Sequence, residues 1–185
     1  MNETLIVGQH MPDFTYDTPF ATNRRWSTTV TGAKSTALVF LRYYGCPICQ
    51  LDMRELQKSY AGFEATGGKL LVVLQSNPEA LRAQIQPDTF SFEIVCDPEQ
   101  TIYRLFGVKR AASTTGLLGI KTMGKLLRSA AKGIRHGAYE GDELQLPAVF
   151  IANKQGLITF LHYGKQAGDL PSTMQLMQFL DKATQ

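Results

Sequence analysis

The stretch that constrains this chain most is a continuous apolar run, Ala37 to Leu41, that passes through Arg42-Tyr43-Tyr44-Gly45 into Cys46-Pro47-Ile48-Cys49. A strand apolar at successive positions is one covered on both faces. Ala37 to Arg42 is therefore read as a central strand. On the far side, Leu51, Met53, Leu56, Tyr60 and Phe63 recur at helical spacing. Two thiols thus sit where a strand hands over to a helix. A helix N-terminus offers free N–H groups and a partial positive charge, and both favour a thiolate. The thiolate is the nucleophilic form, and Cys-x-x-Cys settings lower its pKa from about 8.5 into the range of about 3.5–7.5. The stretch reads as a redox dithiol: Cys46, just ahead of the helix, is the exposed attacker, and Cys49, one turn in, the resolving thiol. Pro47 suits the first helical position, where no N–H donor is needed.

The remaining bulk properties narrow the class. A chain of 185 residues fits one domain, 1–185, with a real core. Three cysteines are too few for a disulfide scaffold, and their odd number argues against full structural pairing. Met1-Asn2-Glu3-Thr4-Leu5 lacks a basic region followed by an apolar stretch, so no secretory signal is expected and a cytoplasmic location is. No apolar run reaches the ~18 residues of a membrane span. A net charge of +3 gives no ground for a nucleic-acid partner.

Taken in order, Gly8 and Pro12 punctuate a loop leading to a short strand near Phe14 and Tyr16, and Arg24 to Ser27 reads as a second. The helix after Cys46 is expected to end at Gly67-Gly68. Lys69 to Gln75 is the next buried strand. Ser76-Asn77-Pro78-Glu79 is a helix start with Ser76 or Asn77 as cap. Phe92 to Val95 is a third strand, and Asp97-Pro98-Glu99 starts another helix, stopped by Gly107. Residues 108–145 differ from the rest. Lys109, Arg110, Lys121, Lys125, Arg128, Lys132 and Arg135 fall there with no acid before Glu140. Ile120, Met123, Leu127, Ala130, Ala131 and Ile134 form a helical stripe with the basic residues opposite. The basic side is read as a solvated face, with docking to a partner or an acidic membrane surface as the alternative. Leu146 to Ala152 and Leu157 to Tyr163 then form a hairpin about Asn153-Lys154-Gln155-Gly156. Asp169 or Ser172 opens a last helix with Met174, Met177 and Leu180 inward. Strands alternating with helices argue an α/β fold with a mixed central sheet.

Rival readings stand beside each motif. Structural zinc takes four ligands, and Cys96, His10, His136 and His162 offer no closely spaced second pair, so no metal is expected. Cys96 is read as buried and inert, and the histidines as structural or surface residues. Pro147 at a strand start is either an ordinary strand-opening proline or the site of a cis bond after Leu146. Arg42, close before the first thiol, either stabilises the thiolate or points elsewhere.

With Val7-Gly8, Pro12-Asp13-Phe14, Ala37 to Cys46, Cys96-Asp97-Pro98 to Phe106-Gly107-Val108, and Val149-Phe150-Ile151 to Gly156 in hand, the chain resembles the AhpC/TSA branch of the thioredoxin-like superfamily, the peroxiredoxins and their relatives. The resemblance implies a thioredoxin-like fold, a mixed sheet flanked by helices, with an N-terminal β extension and a helical insertion at about 108–145. It places Cys46 at the peroxidatic position. Two positions depart from the family pattern. Where peroxiredoxins carry a proline seven residues and a Thr or Ser three residues before that cysteine, this chain has Val39 and Tyr43. Where they carry a late arginine, it has Pro147, the place of the thioredoxin and glutaredoxin cis-proline. Cys-Pro-Ile-Cys itself resembles the glutaredoxin-type motif.

The expected function is that of an antioxidant thiol–disulfide oxidoreductase running a Cys46/Cys49 dithiol–disulfide cycle without a cofactor. Pro47, Tyr43, Arg42, Leu146 and Pro147 are the candidate substrate-positioning residues. The expected partners are a thioredoxin- or glutathione-type thiol donor, a disulfide or peroxide substrate, and a second copy in a homo-oligomer. A thiol peroxidase with Cys46 peroxidatic and Cys49 resolving is one alternative. A non-enzymatic redox sensor that docks through residues 108–145 is another.

Overall fold

The computed structural model describes residues 4–184; Met1-Asn2-Glu3, part of the start read as carrying no secretory signal, lies outside the described residues. The N-terminal segment forms a two-stranded antiparallel ribbon, β1 (Thr15–Tyr16) with β2 (Arg24–Arg25), followed by the short helix α1 (Trp26–Thr29). Trp26, expected in the second strand, begins that helix instead. The core strand β3 (Ser35–Phe40) is buried at all its positions, as its unbroken apolar pattern requires. After the cysteine turn come α2 (Pro47–Lys58) and α3 (Tyr60–Ala65), broken at Ser59. The chain leaves α3 through Gly67 at φ 72°, a left-handed conformation that glycine adopts without strain. Then follow β4 (Gly68–Leu74), α4 (Pro78–Arg82) and β5 (Glu93–Cys96). The Asn77 side chain caps α4 by accepting from the N–H groups of Glu79 and Ala80. Helix α5 (Thr101–Leu105) starts later than Asp97-Pro98 suggested. Asp97 still serves it: its carboxylate accepts from the N–H groups of Thr101, Ile102 and Tyr103. Helices α6 (Thr114–Leu117) and α7 (Ile120–Ala131) lie in the insertion. The hairpin β6 (Ala148–Asn153) and β7 (Ile158–Tyr163) and the helix α8 (Thr173–Ala183) close the chain.

The five-stranded sheet has the order β5-β4-β3-β6-β7. Strands β3, β4 and β5 are parallel, and the hairpin β6–β7 adds antiparallel on the other side of β3. Alternate residues of each strand divide between two cores. Ala37, Val39, Leu41, Val72 and Val149 join α2 and α8, together with Cys46 and Cys49, on one face. Leu38, Phe40, Val73 and Phe150 pack under Phe14, Trp26, Ile102 and Phe106 on the other. In α8, Leu180 faces inward and Met177 packs against the core as expected, while Met174 is exposed and Leu176 is buried in addition.

The largest departure from expectation is the orientation of α7. Its apolar stripe faces out: Ile120 is 93% exposed, Leu127 66% and Met123 51%. Its basic side faces the body instead. Lys125 reaches Asp52 of α2 at 2.6 Å, Arg128 and Lys132 pair with Glu55, and Lys121 pairs with Asp169 at 2.6 Å. Acids at Asp52 and Glu55, one turn apart on α2, select the basic face of α7 as the buried one, with Thr122 and Ser129 filling the contact.

Candidate active site

The cysteine turn lies at the exit of β3, and its geometry follows from the local sequence. Cys46 is the N-cap of α2, with Pro47 at its first position. The Cys46 Sγ accepts from the Cys49 N–H at 3.5 Å and from Arg42 Nη2 at 3.1 Å. The Arg42 N–H points at the Cys49 Sγ, 3.3 Å away. Arg42 therefore touches one sulfur with its guanidinium and the other with its backbone. The second guanidinium nitrogen is held by the Glu143 carbonyl at 2.8 Å, with the Glu143 carboxylate at 3.7 Å.

These contacts separate the two thiols electrically. The hydrogen bond from the Cys49 thiol, the Arg42 charge and the N–H groups of Ile48 and Cys49 outweigh burial and lower Cys46 to about 6. Burial, then the bond to and the charge of Cys46, push Cys49 well above the ordinary thiol range. Cys96 is pushed up to about 12, by burial first and by Asp17 and Glu140 after it. It is a buried thiol at the end of the edge strand β5, beside acids that disfavour its thiolate, in keeping with an inert reading.

Cys46 is fully buried, contrary to the exposed position expected for the attacking thiol. The cover is the end of the insertion. The Gly137 N–H donates to the Gly45 carbonyl at 2.8 Å, Gln50 Nε2 to the Arg135 carbonyl at 3.2 Å, and Ser129 Oγ to the Pro47 carbonyl at 3.2 Å. Gly45 permits the approach, because a Cβ there would lie 2.2 Å from the Ala138 carbonyl oxygen. The Tyr43 hydroxyl donates to the Glu143 carboxylate and meets His136 Nε2 at 3.1 Å. Tyr43 thus ties the turn to the same strap, and its hydroxyl is engaged there. The backbone of Tyr44 is anchored separately, on Ser76 Oγ at 2.9 Å.

Leu146 shares the buried cluster of both cysteines. Pro147 and Leu146 line a cavity of about 480 Å³ with Ala111, Tyr163 and Lys165, which neither sulfur lines. The peptide bond between them is trans, so the cis alternative does not hold. The trans form is intrinsically preferred for X–Pro, and here the Leu146 N–H is taken by the Lys109 carbonyl while the Pro147 carbonyl accepts from Gly164. Glu143 and His136 were not read from the sequence as site residues. Both lie about a hundred positions from the turn, and nothing in their neighbours' spacing marks them. Asp52 was missed too, although an acid at the third position after Cys49, among apolar residues, is a visible signal.

A sequence model of the AhpC/TSA family matches residues 7–161. Prostamide/prostaglandin F synthase of Xenopus tropicalis is 28% identical over 80% of this chain and 74% of its own length. Peroxiredoxin-like 2C of Homo sapiens is 26% identical over 78% of this chain and 69% of its own. Among solved structures, peroxidoxin BcpB from Mycobacterium tuberculosis superposes with a TM-score of 0.64 at 15% identity, covering 96% of this chain and 93% of that one. A peroxiredoxin-like protein from Aquifex aeolicus gives 0.65 at 19% identity, covering 98% and 89%. The match of the family model runs from the N-terminal loop across the cysteine turn to the last strand, and the chain therefore belongs to the AhpC/TSA family of thiol-based oxidoreductases.

Proposed function

We propose that the protein is an antioxidant thiol–disulfide oxidoreductase that cycles between a Cys46/Cys49 dithiol and a Cys46–Cys49 disulfide. One observation carries this reading: Arg42 and Cys49 hold Cys46 near 6 while burial keeps Cys49 protonated. At neutral pH the pair is a nucleophile with a thiol in reserve. The Cys46 thiolate attacks one sulfur of a substrate disulfide, forms a mixed disulfide and expels the other sulfur as a thiolate. That thiolate takes up a proton. Cys49, losing its proton, then attacks Cys46 Sγ and releases the second substrate thiol. Two electrons pass from the dithiol to the substrate, and a thioredoxin- or glutathione-type thiol returns them. Arg42 stabilises the thiolate, Pro47 sets the first turn of α2, and Tyr43 holds the turn to its strap. Leu146 packs in the buried cluster that holds both sulfurs.

A peroxide is the second oxidising substrate to weigh, because the full burial of Cys46 under the strap favours a small reactant. The thiolate would take one oxygen, breaking the O–O bond, and Cys49 would displace water from the sulfenic acid to close the same disulfide. The guanidinium of Arg42 supplies a cation beside the sulfur. The experiment is mass spectrometry after stoichiometric hydrogen peroxide or glutathione disulfide, on wild type, Cys46→Ser and Cys49→Ser. The dithiol cycle requires an internal Cys46–Cys49 bridge in wild type and a trapped adduct on Cys46 in Cys49→Ser. A bridge involving Cys96, or undiminished turnover by Cys46→Ser, overturns it.

A further inference from the structure

Helix α7 is mounted with its apolar side outward, and the mounting is fixed. Beneath it, the ion pair of Lys125 with Asp52 is almost wholly buried, with the two side chains 14% and 4% exposed. Thr122 Oγ1 bonds the Leu117 carbonyl, and Ser129 Oγ bonds the Pro47 carbonyl. Rolling the helix to hide its apolar stripe would strip these groups of their partners. Above, Ile120, Met123, Leu126 and Leu127 project from one side over about two turns, and Leu118 continues the patch ahead of the helix at 54% exposure. Lys121, Arg128 and Lys132 lie along one flank, with side chains 61%, 55% and 42% exposed and heads paired with Asp169 and Glu55, and Arg135 follows in the strap. No acid occurs between Lys109 and Tyr139.

We propose that α7 seats the protein on the surface of an anionic lipid bilayer, its apolar side in the acyl boundary and its basic flank among the headgroups. Two considerations select this occupant. The first is charge. The four bases of that flank, Lys121, Lys125, Arg128 and Lys132, outnumber the three acids that pair with them, Asp52, Glu55 and Asp169, and Arg135 adds to the excess. A second copy would set one positive excess against another, whereas acidic headgroups complement it, and an apolar stripe bordered by Lys and Arg is the pattern of helices that lie in a membrane interface. The second is area. A 12-residue helix is about 18 Å long and about 10 Å across, a strip of roughly 200 Å². A stable protein interface takes roughly 800 Å² from each partner. Insertion of a few side chains below the headgroups has no such requirement. Docked in this way, the protein holds the N-terminal turn of α2, and the strap over it, one helix layer from the lipid.

The test uses the full-length protein and sedimentation with two kinds of vesicle, phosphatidylcholine alone and phosphatidylcholine mixed with phosphatidylglycerol. The expected result is binding to the mixed vesicles, weakened by added salt as the Debye length contracts, and little binding to phosphatidylcholine alone. The variant Ile120→Glu/Met123→Glu/Leu127→Glu changes only exposed positions. It should keep the wild-type thermal midpoint and the wild-type pH profile of Cys46 alkylation, and lose vesicle binding by about tenfold or more, as placing carboxylates at the interface requires. Equal binding to both vesicles, binding unaffected by the triple substitution, or absence of binding overturns the proposal. So does a concentration-dependent dimer in the wild type that the triple substitution abolishes, since a second copy would then be the occupant.

Discussion

At the scale of single residues, Arg42 does most to decide what the cysteine pair can do. It is the last residue before the turn, and the exit of a buried strand aims its guanidinium at the Cys46 sulfur while its own N–H faces Cys49. An opposite charge in such contact shifts a pKa by about 1–3 units. In wild type, Cys46 alkylation by iodoacetamide should rise with pH through a midpoint of about 6. In Arg42→Met the midpoint should climb by about one unit or more. An unchanged profile would leave the Cys49 thiol and the helix terminus as the whole cause. Gly45 matters for a steric reason. Gly45→Ala puts a Cβ against the Ala138 carbonyl, so the strap must shift. The expected outcome is faster alkylation of native Cys46 at pH 8, where the thiolate is fully formed in both proteins. An equal rate would mean that the strap does not limit access.

At the scale of elements, the contact between α2 and α7 rests on the pair Asp52–Lys125. Burial raises Asp52 to about 6 against the pull of Lys125. At neutral pH the carboxylate is ionised and depends on the ammonium beside it. Removing one partner of a buried pair leaves an uncompensated charge and costs about 3–5 kcal/mol, whereas replacing both with apolar residues is often neutral. Lys125→Met should therefore lower stability in urea at pH 7 by about that amount, and Asp52→Leu/Lys125→Met should recover most of the loss. A double variant as unstable as the single one would show that the contact depends on more than charge. The same geometry changes what charge reversal means here. Reversing Lys125, Arg128 or Lys132 attacks contacts within the protein, so surface docking is better probed on the apolar side. The sequence pattern gave the amphipathic character of α7 correctly. Which side is covered follows from acids on another helix, and no periodicity within α7 encodes that.

At the scale of the whole molecule, the thiolate of Cys46 couples the charge of the site to folding. The folded thiol titrates at about 6 and an unfolded one at about 8.5. Between those values the unfolded chain binds one proton more. Stability of the reduced protein should thus rise by roughly 1 kcal/mol per pH unit between about pH 6.5 and 8 relative to Cys46→Ser. The contribution is complete above the unfolded value and is lost as pH falls through the folded one. Above about pH 8.5 the raised thiol of Cys49 opposes it, because its folded form resists ionisation there. Denaturation curves of the two proteins across that window check the slope, and parallel curves would refute the coupling. The succession of strands and helices, the strand-to-helix placement of Cys46 and Cys49, and the loop and glycine signals at Ser76-Asn77, Gly67 and Gly156 were all determined by the sequence itself, because each depends on residues a few positions apart. The cover over Cys46, the partnership of Tyr43 with Glu143 and His136, and the outward side of α7 were decided only by the tertiary structure. Each of these is settled by groups distant in the chain competing for the same space or the same charge.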